Sequence, residues 1–427
     1  MPDNTIRAFT IGSICLILLI MVGPVEAQLN RTEKKLVASV DQHNPQALKL
    51  WEDVVNINSG TMNFDGVYKV GQVFRARLDA LGFQTRWVDG KHFNRAGHLI
   101  AEHISTGKAR SDKTILLIGH LDTVFEPSSP FQRFTTVNDS TVQGPGAADM
   151  KGGNVVMIHA LQALKDAGVL QNMNIIVVLG GDEELSGEPL SVARHDLIEA
   201  AKRADIAIGF EDGDGRFETA NIARRSSSDW ILKVTGIPSH SSQVFTEKVG
   251  AGAIYEASRI LHQFYNALST EPNLTFNPGV ILGGTAVEYN EDENGGTASG
   301  KNNIVAKDVV VTGDIRAMSP EQLAKAQSVM KEITSQHLPN THAEIAFGEG
   351  YPPLAPTQEN YKLLSYFNNV SNDLGYGSVR AVNPRDAGAA DISFTSGYVD
   401  MAMDGLGLRS SGGHTVNEQA DPRTLPM

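Results

Sequence analysis

The sequence predicts an α/β protein into which a separate α+β unit is inserted. Three short apolar runs have the length and composition of buried strands, and helical patterns lie between them. The strand runs are 114–118, 175–179 and 206–210, and the helical patterns are 150–167 and 191–203. Strands that alternate with helices along the chain are typical of an α/β sheet.

The alternation of strands and helices does not continue in residues 228–348. This segment predicts four strands and two helices in an order typical of an α+β unit. The strands are 230–235, 280–282, 303–316 and 343–347, and the helices are 251–267 and 320–337. We therefore expect a catalytic domain in two parts, 28–227 and 349–427, with 228–348 inserted between them.

The remaining elements belong to the first part of the larger domain. A helical lead-in covers 28–58, and an amphipathic helix over 68–81 ends near Gly82, because glycine commonly terminates helices. Shorter alternating runs at 85–88 and 98–103 predict two more strands.

Residues 1–27 predict a secretory signal peptide, since Arg7 precedes an apolar run over 8–22 and small residues close the segment. The apolar run is short for a bilayer span, which needs about 20 residues, so a signal-anchor is the weaker alternative. We expect an exported protein, periplasmic or secreted, without a stable membrane anchor once the signal is removed. The single cysteine, Cys15, lies in this segment, which excludes thiol catalysis and cysteine-ligated zinc in the mature chain.

The amino-acid composition and the net charge narrow the class of protein further. Of 427 residues, 41% are hydrophobic and 20% are charged, as in a folded globular protein. The formal net charge is -13, from 36 Lys and Arg against 49 Asp and Glu. An acidic chain without a basic patch repels nucleic acid, so a nucleic-acid partner is not expected.

The first chemical motif follows the run 114–118 and reads Gly-His-Leu-Asp-Thr-Val, from Gly119 to Val124. His120 could be an ordinary packed histidine. With Asp122 nearby it could also bind a metal, because a carboxylate that accepts the second ring N–H fixes the tautomer of a ligating histidine.

Three further motifs carry carboxylates after a strand or before a helix. Asp149 lies in the glycine-rich loop 144–153, where it could cap the following helix or bind a metal; the loop lacks the Walker pattern of a phosphate site. Glu183 and Glu184 follow the second strand, and Glu211 and Asp212 follow the third. Solvated acidic turns are the alternative for both pairs.

A late histidine, His414, stands in the motif Gly-Gly-His-Thr-Val-Asn-Glu and could be a loop residue of no special role. Together, however, two histidines and several carboxylates fit zinc or a similar divalent metal. A pair of ions needs a carboxylate that bridges them, and Asp149 is the natural bridge. Whether Glu211 or Asp212 would be a ligand stays open.

In this order the motifs resemble the co-catalytic metallopeptidase family of bacterial glutamate carboxypeptidase, aminoacylase, peptidase T and succinyl-diaminopimelate desuccinylase. The resemblance implies a mixed-sheet zinc-exopeptidase catalytic domain with an inserted lid or dimerisation domain, and hence a homodimer through that domain. It also implies two Zn²⁺ ions, with Co²⁺ or Mn²⁺ as alternatives, and a cis peptide bond after the bridging aspartate.

Carried over by position, the resemblance implies two ligand sets that share one residue. His120, Asp149 and Glu211 would bind one ion, and Asp149, Glu184 and His414 the other. Glu183 would then be the general base, and Asp122 would orient His120.

Three residues of the inserted unit match family positions that act on substrate. His240 would stabilise the oxyanion, while Asn303 and Arg316 would hold the substrate, Arg316 through a carboxylate. The alternatives are a surface histidine, a turn at a strand end and an ion pair within the unit.

The resemblance implies hydrolysis of an amide or peptide bond, with a peptide or N-acyl amino acid as substrate. A carboxypeptidase that releases glutamate is the first expectation. An aminoacylase or dipeptidase of the same family is the second, and a metal- or peptide-binding relative without turnover is the third.

Overall fold

A computed structural model gives the structure of residues 29–291 and 293–427, so the predicted signal peptide and Cys15 lie outside the described residues. The helices are α1 (Arg31–Val55), α2 (Phe64–Leu81), α3 (Lys151–Asp166), α4 (Leu190–Ala193), α5 (His195–Ala201), α6 (Ala253–Leu268), α7 (Pro320–Ser335) and α8 (Gln358–Asp373).

The strands are β1 (Gln84–Asp89), β2 (Gly97–His103), β3 (Thr114–His120), β4 (Thr135–Asn138), β5 (Thr141–Gln143), β6 (Asn174–Gly180), β7 (Ile206–Gly209), β8 (Thr219–Ala220), β9 (Ser228–Gly236), β10 (Thr275–Gly284), β11 (Ala286–Asn290), β12 (Gly295–Ser299), β13 (Asp308–Arg316), β14 (Thr341–Phe347), β15 (Arg380–Ala381), β16 (Met401–Met403), β17 (Ser410–Ser411) and β18 (Gln419–Ala420).

The largest sheet has six strands in the order β1-β2-β6-β3-β7-β16. β6, β3, β7 and β16 are parallel, whereas β1 and β2 run antiparallel to their neighbours, so the sheet is mixed. His120 at the end of β3 is in register with Gly180 at the end of β6, and Ile118 with Gly209 at the end of β7. The loops that follow these three strands therefore leave the sheet at one edge, where open α/β sheets place ligands.

Alternating apolar residues explain why helices cover both faces of this sheet. Leu117 and Val177 pack in the same buried cluster as residues of α1, α2 and α3, such as Trp51 and Phe74. Their neighbours along β3 and β6 point the other way and pack with Leu197 of α5. Side chains on a strand alternate between faces, so a strand buried on both sides is apolar throughout, as these are.

The predicted α2 and α3 are confirmed with small changes of their bounds. α2 begins at Phe64, four residues earlier than predicted, and ends at Leu81, where Gly82 follows with a left-handed φ of 98°. Glycine adopts this conformation without the steric cost that a β-carbon would bring.

The predicted helix over 191–203 is wrong as a single element. The structure has two short helices, α4 and α5, with Arg194 between them at φ -95° and ψ 3°. The Arg194 side chain is buried and donates to Asp182 and Asp391, which helix periodicity alone does not predict.

The inserted unit contains a second, antiparallel sheet with the order β10-β13-β9-β14. Its buried cluster joins Trp230 and Leu232 of β9 to Ile260 and Phe264 of α6 and Met330 of α7. The predicted four strands and two helices are present. The domain limits at 227/228 and 348/349 stay a prediction.

Two details of this unit differ from expectation. β13 begins at Asp308, so Asn303 precedes the strand instead of starting it. A hairpin of β11 and β12 was not predicted, because its side chains are mostly exposed and give no apolar pattern.

A small four-stranded sheet, in the order β17-β18-β5-β4, was also not predicted. β18 pairs with β5 through Gln419 and Gln143. This pairing brings the turn that carries His414 beside the loop that follows β5 and carries Asp149. Among the described residues, no helix is both long and apolar enough to cross a bilayer.

Candidate metal centre

Five segments bring the predicted metal ligands together. Three are the last residue of β3 and the loops that follow β6 and β7, and the fourth is the turn between β17 and β18. The fifth is the loop after β5, which lies between the others and carries Asp149. Parallel strands that end at the same edge explain why residues far apart in the sequence meet here.

Asp149 lies between two histidines. Its Oδ1 is 3.0 Å from Nε2 of His120, and its Oδ2 is 2.9 Å from Nε2 of His414. His120 is buried, whereas 61% of the His414 side chain is exposed. One carboxylate thus presents one oxygen to each histidine, as a residue shared by two metal ions must.

Each histidine has a second carboxylate nearby. Oε2 of Glu184 is 3.1 Å from Nε2 of His414, and Oε1 of Glu211 is 3.6 Å from Nε2 of His120. The contacts pair the side chains in the combinations implied by the resemblance, with Asp149 common to both.

Two compact groups of possible ligand atoms also share Asp149. One contains His120, Asp149 and Glu184, and the other contains Asp149, Glu211 and Asp212, with the atoms of each group within 4.8 Å of one another. Asp212 is therefore close enough to bind a metal, although its Oδ2 also accepts a hydrogen bond from Ser410.

The electrostatics of the cluster favour bound cations. Burial and the charges of neighbouring carboxylates raise the pKa of Glu183 and of Glu211 well above the ordinary value. Burial and the charge of Asp149 raise the pKa of Asp212 to about 7. Hydrogen bonds to Asp149 and Glu184 raise the pKa of His414 to about 11. Raised pKa values mean that these surroundings disfavour the ionised carboxylates, and bound divalent metal ions would stabilise the ionised form.

Asp122 contacts His120 on the side away from Asp149. Its Oδ1 is 3.3 Å from Nδ1 of His120, and the ring also lies 3.1 Å from the Asp122 carbonyl oxygen. The hydroxyl of Thr61 donates to Oδ2 of Asp122 at 2.6 Å. This is the contact by which a carboxylate orients a ligating histidine.

The same carboxylate also holds the loop after β6. The backbone N–H groups of Glu183 and Glu184 donate to Oδ1 and Oδ2 of Asp122, both at 3.1 Å. Asp122 thus connects the histidine of one loop to the two glutamates of another.

The loop that carries Asp149 is held by Glu418, a buried residue to which no role was assigned from the sequence. Its carboxylate accepts hydrogen bonds from the backbone N–H groups of Gly146, Ala148 and Asp149. The Asp149–Met150 peptide bond is cis, as the resemblance implies. Glu418 stands in the His414 motif, and this position was the only signal of it in the sequence.

Two further supporting residues, Asp404 and Thr61, lie outside the sequence motifs. Asp404 is buried, accepts a hydrogen bond from the backbone N–H of Glu211 at 3.3 Å, and forms an ion pair with Arg224 at 2.8 Å. Thr61 lies in the segment between α1 and α2. Both act from segments whose local sequence suggests only a turn or a strand end.

The three residues predicted to act on substrate lie in the inserted unit, apart from the cluster. His240 is exposed, and its Nδ1 is 2.9 Å from the Ser242 hydroxyl. Asn303 is exposed and accepts the N–H of Ser241 with its carbonyl oxygen, while Arg316 pairs with Asp314. These contacts bring none of the three to the metal-ligand cluster, and their roles stay predictions.

Comparison with known proteins gives a family match over most of the chain. The sequence profile of peptidase family M20/M25/M40 matches residues 116–427. Carboxypeptidase G2 of Pseudomonas sp. (strain RS-16) is 27% identical over 413 residues, which cover 94% of this chain and 92% of that protein.

Solved structures share the fold. Aminopeptidase PepT from Bacillus cereus matches with a TM-score of 0.69 at 18% identity, over 90% of this chain and 95% of its own. A protein of Bacillus subtilis described as a dinuclear metal binding peptidase matches with a TM-score of 0.60 at 12% identity, over 90% and 95% of the two chains. These likenesses confirm the predicted mixed α/β fold with an inserted domain.

Proposed function

Because the chain belongs to peptidase family M20/M25/M40 and is therefore a hydrolytic enzyme, we propose that it cleaves an amide or peptide bond at a two-metal centre. The observation that carries this proposal is the position of Asp149, with one carboxylate oxygen toward His120 and the other toward His414. A capping aspartate would need neither contact, since a cap accepts backbone N–H groups, and no side chain caps the start of α3.

We assign His120 and Glu211 to one ion, Glu184 and His414 to the other, and Asp149 to both. Nitrogen and carboxylate ligands suit zinc, and the same donors accept Co²⁺ or Mn²⁺. When bound at these residues, divalent ions would supply Lewis-acid chemistry, which lowers the pKa of water and polarises the carbonyl group of a substrate.

Glu183 is the general base in this proposal. It lies three residues after the end of β6, beside the ligand Glu184, and is half-buried near other carboxylates. A carboxylate in this position can take a proton from the attacking water and return it to the leaving amine. Asp122 holds both glutamates by their backbone and orients His120.

The substrate is, in this proposal, a peptide or N-acyl amino acid that loses a C-terminal residue such as glutamate. The support is the similarity to carboxypeptidase G2 along nearly the whole of both chains. Arg316 and Asn303 would hold the substrate, and His240 would stabilise the oxyanion. Hydrolysis of N-acyl amino acids or of dipeptides, by an aminoacylase or dipeptidase of the same family, is the second candidate.

Two further parts of the proposal concern the chain as a whole. Residues 1–27 would direct export to the periplasm or the medium, and residues 228–348 would provide a dimer interface. Both rest on the sequence patterns and the family resemblance.

The adjacent glutamates offer a matched pair of variants to test the site. Glu183→Gln should keep two metal ions per chain and lose turnover by at least about a hundredfold, because only the base is removed. Glu184→Gln should lose one metal ion, because a ligand is removed. Turnover and metal content are measured on the same preparations. Unchanged turnover in Glu183→Gln would refute the role of the base, and metal loss in that variant alone would mean that the two roles are exchanged.

A further inference from the structure

We propose that Arg194 and Tyr351 are positioning residues that hold the backbone on both sides of Glu183 and so direct its carboxylate. This inference rests on the proposed function, because it takes Glu183 as the general base. It assigns a role to a buried arginine and a half-buried tyrosine that the metal centre itself does not use.

One end of each peptide group around Glu183 is held by Asp122. The N–H of Glu183 belongs to the peptide group before it, and the N–H of Glu184 to the peptide group after it. Both donate to the Asp122 carboxylate, at 3.1 Å each.

The opposite end of each peptide group is held by the proposed pair. Nη2 of Arg194 donates to the carbonyl oxygen of Asp182 at 3.0 Å. The hydroxyl of Tyr351 donates to the carbonyl oxygen of Glu183 at 3.1 Å. Two peptide groups fixed at both ends leave the backbone of Glu183 little rotational freedom, and the backbone sets the direction of the Cα–Cβ bond.

The pair is itself rigid. Arg194 is buried and donates from Nε to Asp391 at 2.8 Å and from Nη1 to the Asp182 carboxylate at 2.7 Å. Nη2 of Arg194 also donates to the Tyr351 hydroxyl oxygen at 2.6 Å. The Ser186 hydroxyl lies 3.2 Å from that oxygen and can donate to it. With Arg194 and Ser186 as donors to its two lone pairs, the tyrosine hydroxyl can direct its own proton at the carbonyl of Glu183.

Tyr351 also lies where the inserted unit joins the larger domain. Its backbone pairs with Ser227, with N–H to carbonyl distances of 2.9 and 3.1 Å, and these residues flank the strands β9 and β14. The hydroxyl therefore links the base to the two segments that connect the domains. Packing alone would need only the ring, which meets Phe394 edge to face at 5.0 Å.

The test is Tyr351→Phe, which removes one hydroxyl and keeps the ring. Tyr289→Phe is the matched control, since the Tyr289 hydroxyl donates a hydrogen bond to Asn294 at 2.9 Å in the hairpin of the inserted unit. Both are assayed on the fastest substrate of a panel of N-acyl glutamates, other N-acyl amino acids and dipeptides. Co²⁺ binding and thermal unfolding are measured in parallel.

We expect Tyr351→Phe to lower kcat about tenfold while KM changes by less than about twofold, as for a misdirected catalytic group. It should still bind two Co²⁺ ions and unfold close to the temperature of Tyr289→Phe. In the Glu183→Gln background the same substitution should have no further effect, because the group that it positions is gone.

The inference would be overturned if Tyr351→Phe had the same kcat as Tyr289→Phe. It would also be overturned if Tyr351→Phe lowered kcat by the same factor in the Glu183→Gln background as in the parent, or if it lost bound Co²⁺. The proposed function fails separately: full turnover in Glu183→Gln alone would refute the base itself. A large loss in Glu183→Gln with none in Tyr351→Phe would refute only the positioning role.

Discussion

The buried ion pair of Asp404 and Arg224 lies next to the metal centre. We expect the nearly isosteric substitution Asp404→Asn to lower the free energy of unfolding by a large amount. Oδ2 of Asp404 accepts hydrogen bonds from Nε and Nη2 of Arg224, at 3.0 and 2.8 Å. The side chains are 1% and 7% exposed, and this is the one carboxylate within 4 Å of the guanidinium among the described residues. Asp404→Asn would leave a buried cation unpaired. If the amide nitrogen takes the place of Oδ2, its N–H groups would also face the N–H donors of Nε and Nη2 of Arg224 with no acceptor between them.

Removing one partner of a buried ion pair costs about 3 to 5 kcal/mol, and we expect this cost in the free energy of unfolding. The matched control is Asp65→Asn, because Asp65 and Lys69 form a 2.6 Å pair whose side chains are 74% and 61% exposed. Exposed pairs contribute about 0 to 1 kcal/mol.

Urea unfolding followed by circular dichroism gives the free energy of unfolding of both variants and of the parent. The dependence of that free energy on urea concentration shows whether cooperativity has changed. If Asp404→Asn costs less than about 1 kcal/mol, as the exposed control should, the reasoning from burial is wrong. A loss of cooperativity in that variant alone would be examined with separate probes for the two domains, since the pair lies in the larger one.

Two more predictions concern a metal-site support and the inserted unit. Thr61→Val removes the 2.6 Å hydrogen bond to Asp122 and should weaken metal binding about tenfold, measured in competition with a chromophoric chelator. The control Thr85→Val loses an exposed hydrogen bond of the same length and should keep the metal affinity of the parent. Equal metal affinities of the two variants would contradict the role of Thr61. Burial disfavours the charge of Glu256, but hydrogen bonds, first from Arg259, outweigh it and lower its pKa below the ordinary 4.5. That stabilisation is complete above pH 4.5 and is lost as the pH falls through the lowered pKa, so Glu256→Gln should flatten the acid limb of a stability profile; an unchanged acid limb would refute this.

The sequence could predict those parts of the site that follow from local rules. His120, Glu184 and Glu211 each follow a buried apolar strand, and parallel strands bring such positions to one edge. Asp149 and His414 stand in glycine-rich motifs whose order along the chain carries the family resemblance. The motifs do not give distances, yet the structure brings all five side chains into one cluster.

The supporting residues could not be predicted, because each acts through a contact that spans a long stretch of sequence. Thr61 reaches Asp122 across 61 residues, and Arg194 reaches Asp391 across 197. Arg194 also explains why the predicted helix over 191–203 is broken: its buried side chain serves a tertiary network, and tertiary contacts override helical periodicity. The hairpin of β11 and β12 escaped prediction for a different reason, since an exposed hairpin has little apolar alternation.

The central claim is that two divalent ions at the Asp149 cluster support hydrolysis of an amide bond. The most direct test combines the metal content of the purified chain with turnover on the panel of N-acyl amino acids, dipeptides and glutamate-capped peptides, before and after treatment with a chelator. We expect two ions per chain, turnover that the chelator abolishes, and recovery on addition of Zn²⁺, Co²⁺ or Mn²⁺. A chain that binds no metal, or turnover that survives complete removal of metal, would contradict it.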